Sequence, residues 1–390
     1  MKNVIYFLVI FYTITFSVMA KAGGGIKADP FVIHFMSDLG MGYDSNVFLE
    51  NDDQSDTFYF LSAHADIDAN LSRSSKLFTS YEGTFYRFSD FNSQDSDNHS
   101  ISVGFDYEGN NFYAKIKELY LDTSNIDGTI FTNRIERTVS EPSILLGIDS
   151  NKLAVELKYA EHRRRYEQDL EVAEAGYIWE LPYEYYDHDR KYLSAKVIYH
   201  AFTKTNISLK YRTADIEYKE SIRDGEFDEY MLGIKGELTS KIDGTIRLGY
   251  QDREYTYSNQ SYDNFVSETE IDFKFSENMN LELNYLLTAN EAIIFEYNYY
   301  EIDRLKLDFN LKTLKDFYLT IGGFLETDDF PDLTSGSRKD DVFSVFLYVK
   351  WEIRNNMAIQ LDLDYLERDS NLDEYDYEQK NVVLYFSYVL

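Results

Sequence analysis

Nine side chains carry the binding chemistry available to this sequence: Tyr86, Tyr192, Lys210, Arg212, Arg247, Asn284, Tyr318, Tyr348 and Tyr385. Aromatic faces set beside hydroxyl, amide and charged groups suit a sugar, because rings cover its C–H faces and polar groups meet its hydroxyls. Each of the nine stands one position off an apolar row, on the wet side of a predicted strand. Lys158, Lys196, Lys235, Lys274, Arg304, Lys306 and Lys350 share those faces. So do Glu82, Asp106, Glu156, Glu237, Asp243, Glu268, Glu270, Asp272, Glu282, Asp308, Asp362 and Asp364. Charges placed in this way pair and hydrate a wall, or they set a field across a lumen.

Catalytic patterns are absent from the sequence. His34, His64, His99, His162, His188 and His200 show no metal-ligand spacing, and there is no G-x-S-x-G elbow or phosphate-cradling glycine loop. With 0 Cys, disulfides, thiol catalysis and Cys-based zinc sites are excluded. No enzyme and no cofactor is expected. Asp52-Asp53, Asp328-Asp329 and Asp340-Asp341 offer oxygens to calcium, but without EF-hand spacing they read as solvated loop faces. Arg163-Arg164-Arg165 could meet lipopolysaccharide phosphates; pairing with Glu161 and Glu167 is the simpler reading.

The elements that must hold these residues are strands. Tyr59, Leu61, Ala63, Ala65, Ile67, Ala69 and Leu71 alternate with polar residues, as do Leu193, Ala195, Val197, Tyr199 and Ala201. Similar rows recur along the chain, such as Ile207/Leu209/Tyr211 and Met357/Ile359/Leu361/Leu363/Tyr365. A period of two argues strand over helix. Short polar turns, such as Ser150–Lys152 and Arg354–Asn356, alternate with longer acidic loops, such as Glu167–Asp187 and Asp328–Asp340. That alternation predicts an all-β, transmembrane, antiparallel up-and-down barrel. Its hairpins recur to give about eighteen strands, with sixteen as the alternative. Tyr43, Tyr59, Tyr107, Tyr120, Tyr159, Tyr211, Tyr250, Tyr285 and Tyr365 end apolar rows and predict aromatic girdles at both interfaces.

Both termini suit an exported barrel. Residues 1–22 read as a cleaved signal peptide: Lys2, an apolar run from Val4 to Phe16, then Ala20-Lys21-Ala22. The run is shorter than the roughly 20 residues a membrane helix needs. Residues 23–30 form a short lead and 31–390 the barrel, placed in the outer membrane of a Gram-negative bacterium. Val382, Leu384, Phe386, Tyr388 and Leu390 form an alternating final strand. Phe386, Tyr388 and Leu390 would be the signal to barrel-assembly machinery, although Leu390 departs from the usual terminal Phe or Trp. Outer-membrane lipid and lipopolysaccharide are the other expected partners. A net charge of −31 argues against nucleic acid.

The segment Gly42-Tyr43-Asp44-Ser45-Asn46-Val47-Phe48, followed by Asp56-Thr57-Phe58-Tyr59, resembles the first hairpin of outer-membrane β-barrel porins encoded with exopolysaccharide and exosortase systems. Tyr81–Phe88 and Asn98–Gly104 fit the same pattern. The resemblance implies a conduit or accessory for exopolysaccharide export or anchoring, with polysaccharide and periplasmic export proteins as partners. Read physically, Gly42 and Asp44-Ser45-Asn46 make a tight turn at a strand end. The alternatives are a general or cation-preferring diffusion porin, and a structural or adhesive surface barrel plugged by its own loops, for example by residues 166–190.

Overall fold

The computed structural model describes residues 25–125, 134–167, 186–219, 223–258, 260–292, 297–314, 316–331 and 337–390. The expected signal peptide and most of the suggested plug lie outside the described residues. The strands in chain order are β1 (Ile26–Ala28), β2 (Phe31–Asp44), β3 (Asp56–Asn70), β4 (Ser75–Phe88) and β5 (Ser96–Glu108). Next come β6 (Phe112–Thr123), β7 (Arg137–Ser140), β8 (Ser143–Asp149), β9 (Leu153–Tyr166) and β10 (His188–Phe202). Then follow β11 (Thr205–Tyr218), β12 (Gly225–Thr239), β13 (Ile242–Tyr255), β14 (Ser261–Ser276) and β15 (Met279–Glu291). The last are β16 (Tyr299–Leu314), β17 (Phe317–Phe330), β18 (Arg338–Arg354), β19 (Met357–Ser370) and β20 (Tyr377–Val389).

Each strand pairs antiparallel with its neighbours, and β20 pairs with β2 to close the wall. β1 only folds back on β2, and β7 and β8 are one stave between β6 and β9. That stave breaks at Glu141-Pro142, because proline has no N–H to give the ladder. The result is a closed 18-strand antiparallel barrel, the larger of the two strand counts expected. The last residue completes the closure: the Leu390 amide donates to the Phe35 carbonyl at 2.8 Å.

The apolar rows face outward. Leu209 is 59% exposed, and its neighbour Lys210 faces the interior, where it pairs with Glu229. Such exposure suits lipid, and the closed ladder pairs the strands around the wall at the level of Leu209. A spin label at position 209 is therefore expected to report lipid and one at 210 water. Leu209→Arg should lower barrel stability by about 2–4 kcal/mol, read from a urea titration in lipid vesicles.

On the loop side the rows end in Tyr159, Tyr211, Tyr230, Tyr250 and Tyr365, and acids stand just above. Tyr159 donates to Glu161 at 2.5 Å, Tyr211 to Asp228 at 2.7 Å and Tyr365 to Glu367 at 2.9 Å. The rim on the short-turn side is mainly Phe31, Phe112, Phe202, Phe275 and Trp351, all exposed. Of the nine girdle tyrosines expected from sequence, only Tyr107 lies on that side; the girdles differ in chemistry. Above the tyrosines the staves continue with outward Asp215, Glu217, Asp252 and Glu254. The barrel therefore rises past the apolar band as a polar collar.

The Gly42–Val47 segment does more than turn. Gly42 faces inward, where an added Cβ would lie 2.4 Å from the Phe58 ring, so any side chain there would have to displace that ring. Asp44 accepts from the Asn46 amide and from Gln379, each near 3 Å. Ser45 Oγ accepts from the Lys380 amide at 2.7 Å. Asn46 is fully buried and donates to the Glu378 carbonyl at 2.9 Å and the Glu50 carbonyl at 2.7 Å. Val47 packs with Phe58 and Phe88. The motif thus stitches the first loop to β20, across the seam where the chain's two ends meet.

Candidate functional site

Strand parity turns all nine candidate contacts toward the lumen, spread over many staves. Tyr86 and Tyr385 meet around Phe60, at ring distances of 5.7 and 5.8 Å. Tyr192, Lys210 and Arg212 form a second group. Arg212 lies 5.8 Å from the Tyr192 ring, and both cations share Glu229, at 2.5 Å from Arg212 and 3.4 Å from Lys210. Arg247 pairs with Glu268 at 2.8 Å. Tyr318 accepts from Lys312 at 2.9 Å near the periplasmic turn, and Tyr348 donates to Asp364 at 2.8 Å. Asn284 stands apart, opposite Glu270 and Lys306 in the ladder. These residues line a wall; they do not converge on one ligand.

The wall is electrically lopsided. Inward positions of β9–β13 hold Lys158, Arg164, Arg190, Lys196, Lys210, Arg212, Lys235 and Arg247 against the acids Glu156, Glu229, Glu237 and Asp243, an excess of positive charge. Inward positions of β2–β5 hold Asp38, Asp44, Asp56, Asp66, Asp68, Glu82 and Asp106 against Lys76, an excess of negative charge. Opposite signs on separated walls set a field across the lumen, strengthened where the passage narrows.

The passage narrows because one hairpin folds inward. β14 pairs with β15 only from Ser267↔Leu287 downward. β13–β14 pairing nevertheless continues to Glu254↔Ser261, and β15–β16 pairing to Glu291↔Tyr299. Above the split, β15 and β16 pass inside the wall. Ala289 and Tyr299 pack there against Met231, Tyr255, Tyr262 and Val266. The Tyr255 and Tyr299 rings stack at 5.9 Å with 3° between planes. Arg253, inward on β13, donates to the Glu291 carboxylate and to the Ala289 carbonyl, the latter at 3.0 Å. Gln260 reaches the Pro331 carbonyl at 3.0 Å, so the β13–β14 loop meets the β17–β18 loop over the hairpin.

Beside the hairpin the outer lumen is packed with side chains. Arg338 and Asp340 are both 0% exposed; the guanidinium Nε donates to the carboxylate at 2.9 Å and its carbon lies 3.5 Å from the Tyr375 ring centre. Arg368 lies 3.8 Å from the same carboxylate. Asp328 is buried, and neither of its oxygens has a hydrogen-bond partner. It belongs to the collar, because its outward neighbours Thr327 and Asp329 are polar. Burial first, then the Glu326 charge, pushes its carboxyl up to about 7.

Several sequence expectations need correction here. Asp328–Asp329 and Asp340–Asp341 lie in strands and alternate in and out, so neither pair can close on one calcium ion or form a solvated loop face. Among the described residues no group of three His, Cys, Asp or Glu is arranged to hold a metal. In the arginine run, Arg165 pairs outside with Asp189 at 2.6 Å and Arg163 with Glu161, whereas Arg164 faces inward and lines a cleft. Sequence reasoning missed Arg253, Glu291 and Arg338. For Arg253 and Arg338 the only signal was a charged residue at an inward position above the apolar row, which cannot distinguish a wetted charge from a buried one. Glu291 continues the outward row of β15 and is buried only because the hairpin folds inside the wall.

This closed barrel, with its lipid-facing rows and girdles, is that of a porin-like outer-membrane β-barrel protein. The chain belongs to the family described as "Putative beta-barrel porin 2", whose model matches residues 22–387. No curated protein matches it. Among solved structures, OpdK of Pseudomonas aeruginosa, with vanillate, is similar at 10% identity and TM-score 0.53, over 92% of this chain and 99% of that one. Acinetobacter baumannii OccAB3 gives 10% and 0.51, over 93% and 100%. P. aeruginosa OpdQ gives 11% and 0.51, over 93% and 98%. At these identities the likeness is one of fold.

Proposed function

We propose that the protein is a constricted outer-membrane channel for small polar solutes, the diffusion-porin alternative of the sequence reading. The infolded β15–β16 hairpin carries this proposal. A polar wall with a transverse field admits hydrated solutes, and the packed outer third limits their size. Size-graded liposome swelling tests it. Monosaccharides and amino acids are expected to enter, and oligosaccharides to be retained. Entry with no size limit, or no entry of any solute, would overturn the reading.

A second reading, export or anchoring of exopolysaccharide, draws on the inward Tyr86, Tyr318, Tyr348 and Tyr385, which suit sugar faces. A polymer needs a continuous bore, and the hairpin works against one. A deletion strain separates the two. Intact surface polysaccharide with slower solute uptake supports the channel; lost polysaccharide with unchanged uptake supports the conduit.

A further inference from the structure

Where the infolded hairpin meets β9–β11, a cleft of about 140 Å³ is lined by Arg164, Arg190 and Arg223, with His188, Tyr218 and the hairpin's Glu291. Arg223 is 3% exposed. Its Nη2 donates to the Ala292 and Tyr297 carbonyls, whereas its Nε and Nη1 have no hydrogen-bond partner. Among the described residues no carboxylate stands at ion-pair distance from it. Arg190 likewise has no ion pair among the described residues, and its Nε is buried without a partner. Glu291, also on the cleft wall, is already engaged by Arg253. A buried cation without a counter-charge is costly, and water can satisfy its N–H groups without balancing its charge.

His188 adds a more specific feature. Its Nδ1 lies 2.9 Å from the Tyr186 carbonyl, which can only accept, so Nδ1 carries the proton. Burial, then Arg190 and Arg164, holds this collar histidine well below its ordinary pKa. Neutral His188 therefore presents Nε2 as an acceptor, and this atom is buried without a partner. The Tyr218 hydroxyl is also unpartnered and can donate.

We propose that this cleft binds a small oxyanion that carries its own O–H group, such as hydrogenphosphate or a hydroxycarboxylate. The guanidinium groups take the charged oxygens and His188 Nε2 accepts the ligand's O–H. A similar cavity volume holds one benzene-sized molecule, so the site admits a single anionic group and no polymer. The inference rests on the channel reading only for how a solute reaches the cleft, and binding is measured without transport.

The test is titration calorimetry on the purified full chain in detergent at pH 7.5, with inorganic phosphate against sulfate and lactate against acetate. Phosphate or lactate should bind at least tenfold more tightly than its partner lacking the O–H, and which one does so identifies the source. Arg190→Gln should weaken that binding about tenfold, while His188→Leu should equalise the members of each pair. Arg190 holds no part of the hairpin, so its variant tests the site even where Arg223→Gln fails to assemble. No saturable binding, equal binding within both pairs, or an unaffected Arg190→Gln protein would overturn the proposal. Binding without entry into liposomes would leave this site standing and remove the channel.

Discussion

Arg253→Ala is expected to raise single-channel conductance and lower the stability of the barrel together. The Arg253 and Glu291 side chains are 3% and 4% exposed, and they join the wall to the infolded hairpin. Truncating one partner leaves the other charge buried and unpaired, which costs about 3–5 kcal/mol. The hairpin can recover that energy by swinging Glu291 into water, which widens the passage. Planar-bilayer recordings and a urea titration measure the two effects. Replacing both partners with methionine should restore most of the stability and keep conductance low, because apolar packing can substitute for a buried ion pair. If Arg253→Ala left conductance and unfolding midpoint unchanged, the hairpin would not be the constriction.

Asn46→Ala should have the next largest effect, through the seam. Its amide donates to Glu50, Asp53 and Glu378, at 2.7, 3.1 and 2.9 Å, and accepts from the Glu50 amide at 3.2 Å. Net hydrogen-bond values near 1 kcal/mol each, with carbonyls left unsatisfied in a fully buried site, sum to about 2–4 kcal/mol. Ser45→Ala, which loses one exposed bond to Lys380, should cost well under half as much. Heat-dependent gel migration of the folded barrel reads both. Equal costs for the two would show that the seam is held elsewhere.

The wall was legible because a strand has only two faces. Once the apolar row Ile207/Leu209/Tyr211 is seen, Lys210 and Arg212 must lie opposite, and the ladder bears this out. The same parity assigned Tyr86, Tyr192, Tyr318, Tyr348 and Tyr385 to the lumen. It could not report how wet each position is. Lys210 and Arg212 look like free lumen cations in sequence, yet both lean on a single buried carboxylate, Glu229. Asp340 looks like half of a solvated acidic pair, yet it sits fully buried against Arg338.

What the amino-acid order alone determined is the membrane-spanning barrel: strand face, turn alternation and a strand number of eighteen or sixteen, between which the closed ladder decided. These follow from a local period of two and from backbone groups that must all pair within lipid. Only the tertiary structure decided what fills the barrel. The split between β14 and β15, the Arg253–Glu291 contact and the convergence of Arg164, Arg190 and Arg223 depend on contacts between staves, which the pattern within one strand does not specify. No local pattern encodes whether a hairpin end continues in the wall or turns inside it. That choice depends on the buried Tyr255–Tyr299 stack and the paired charges that the inward path makes possible.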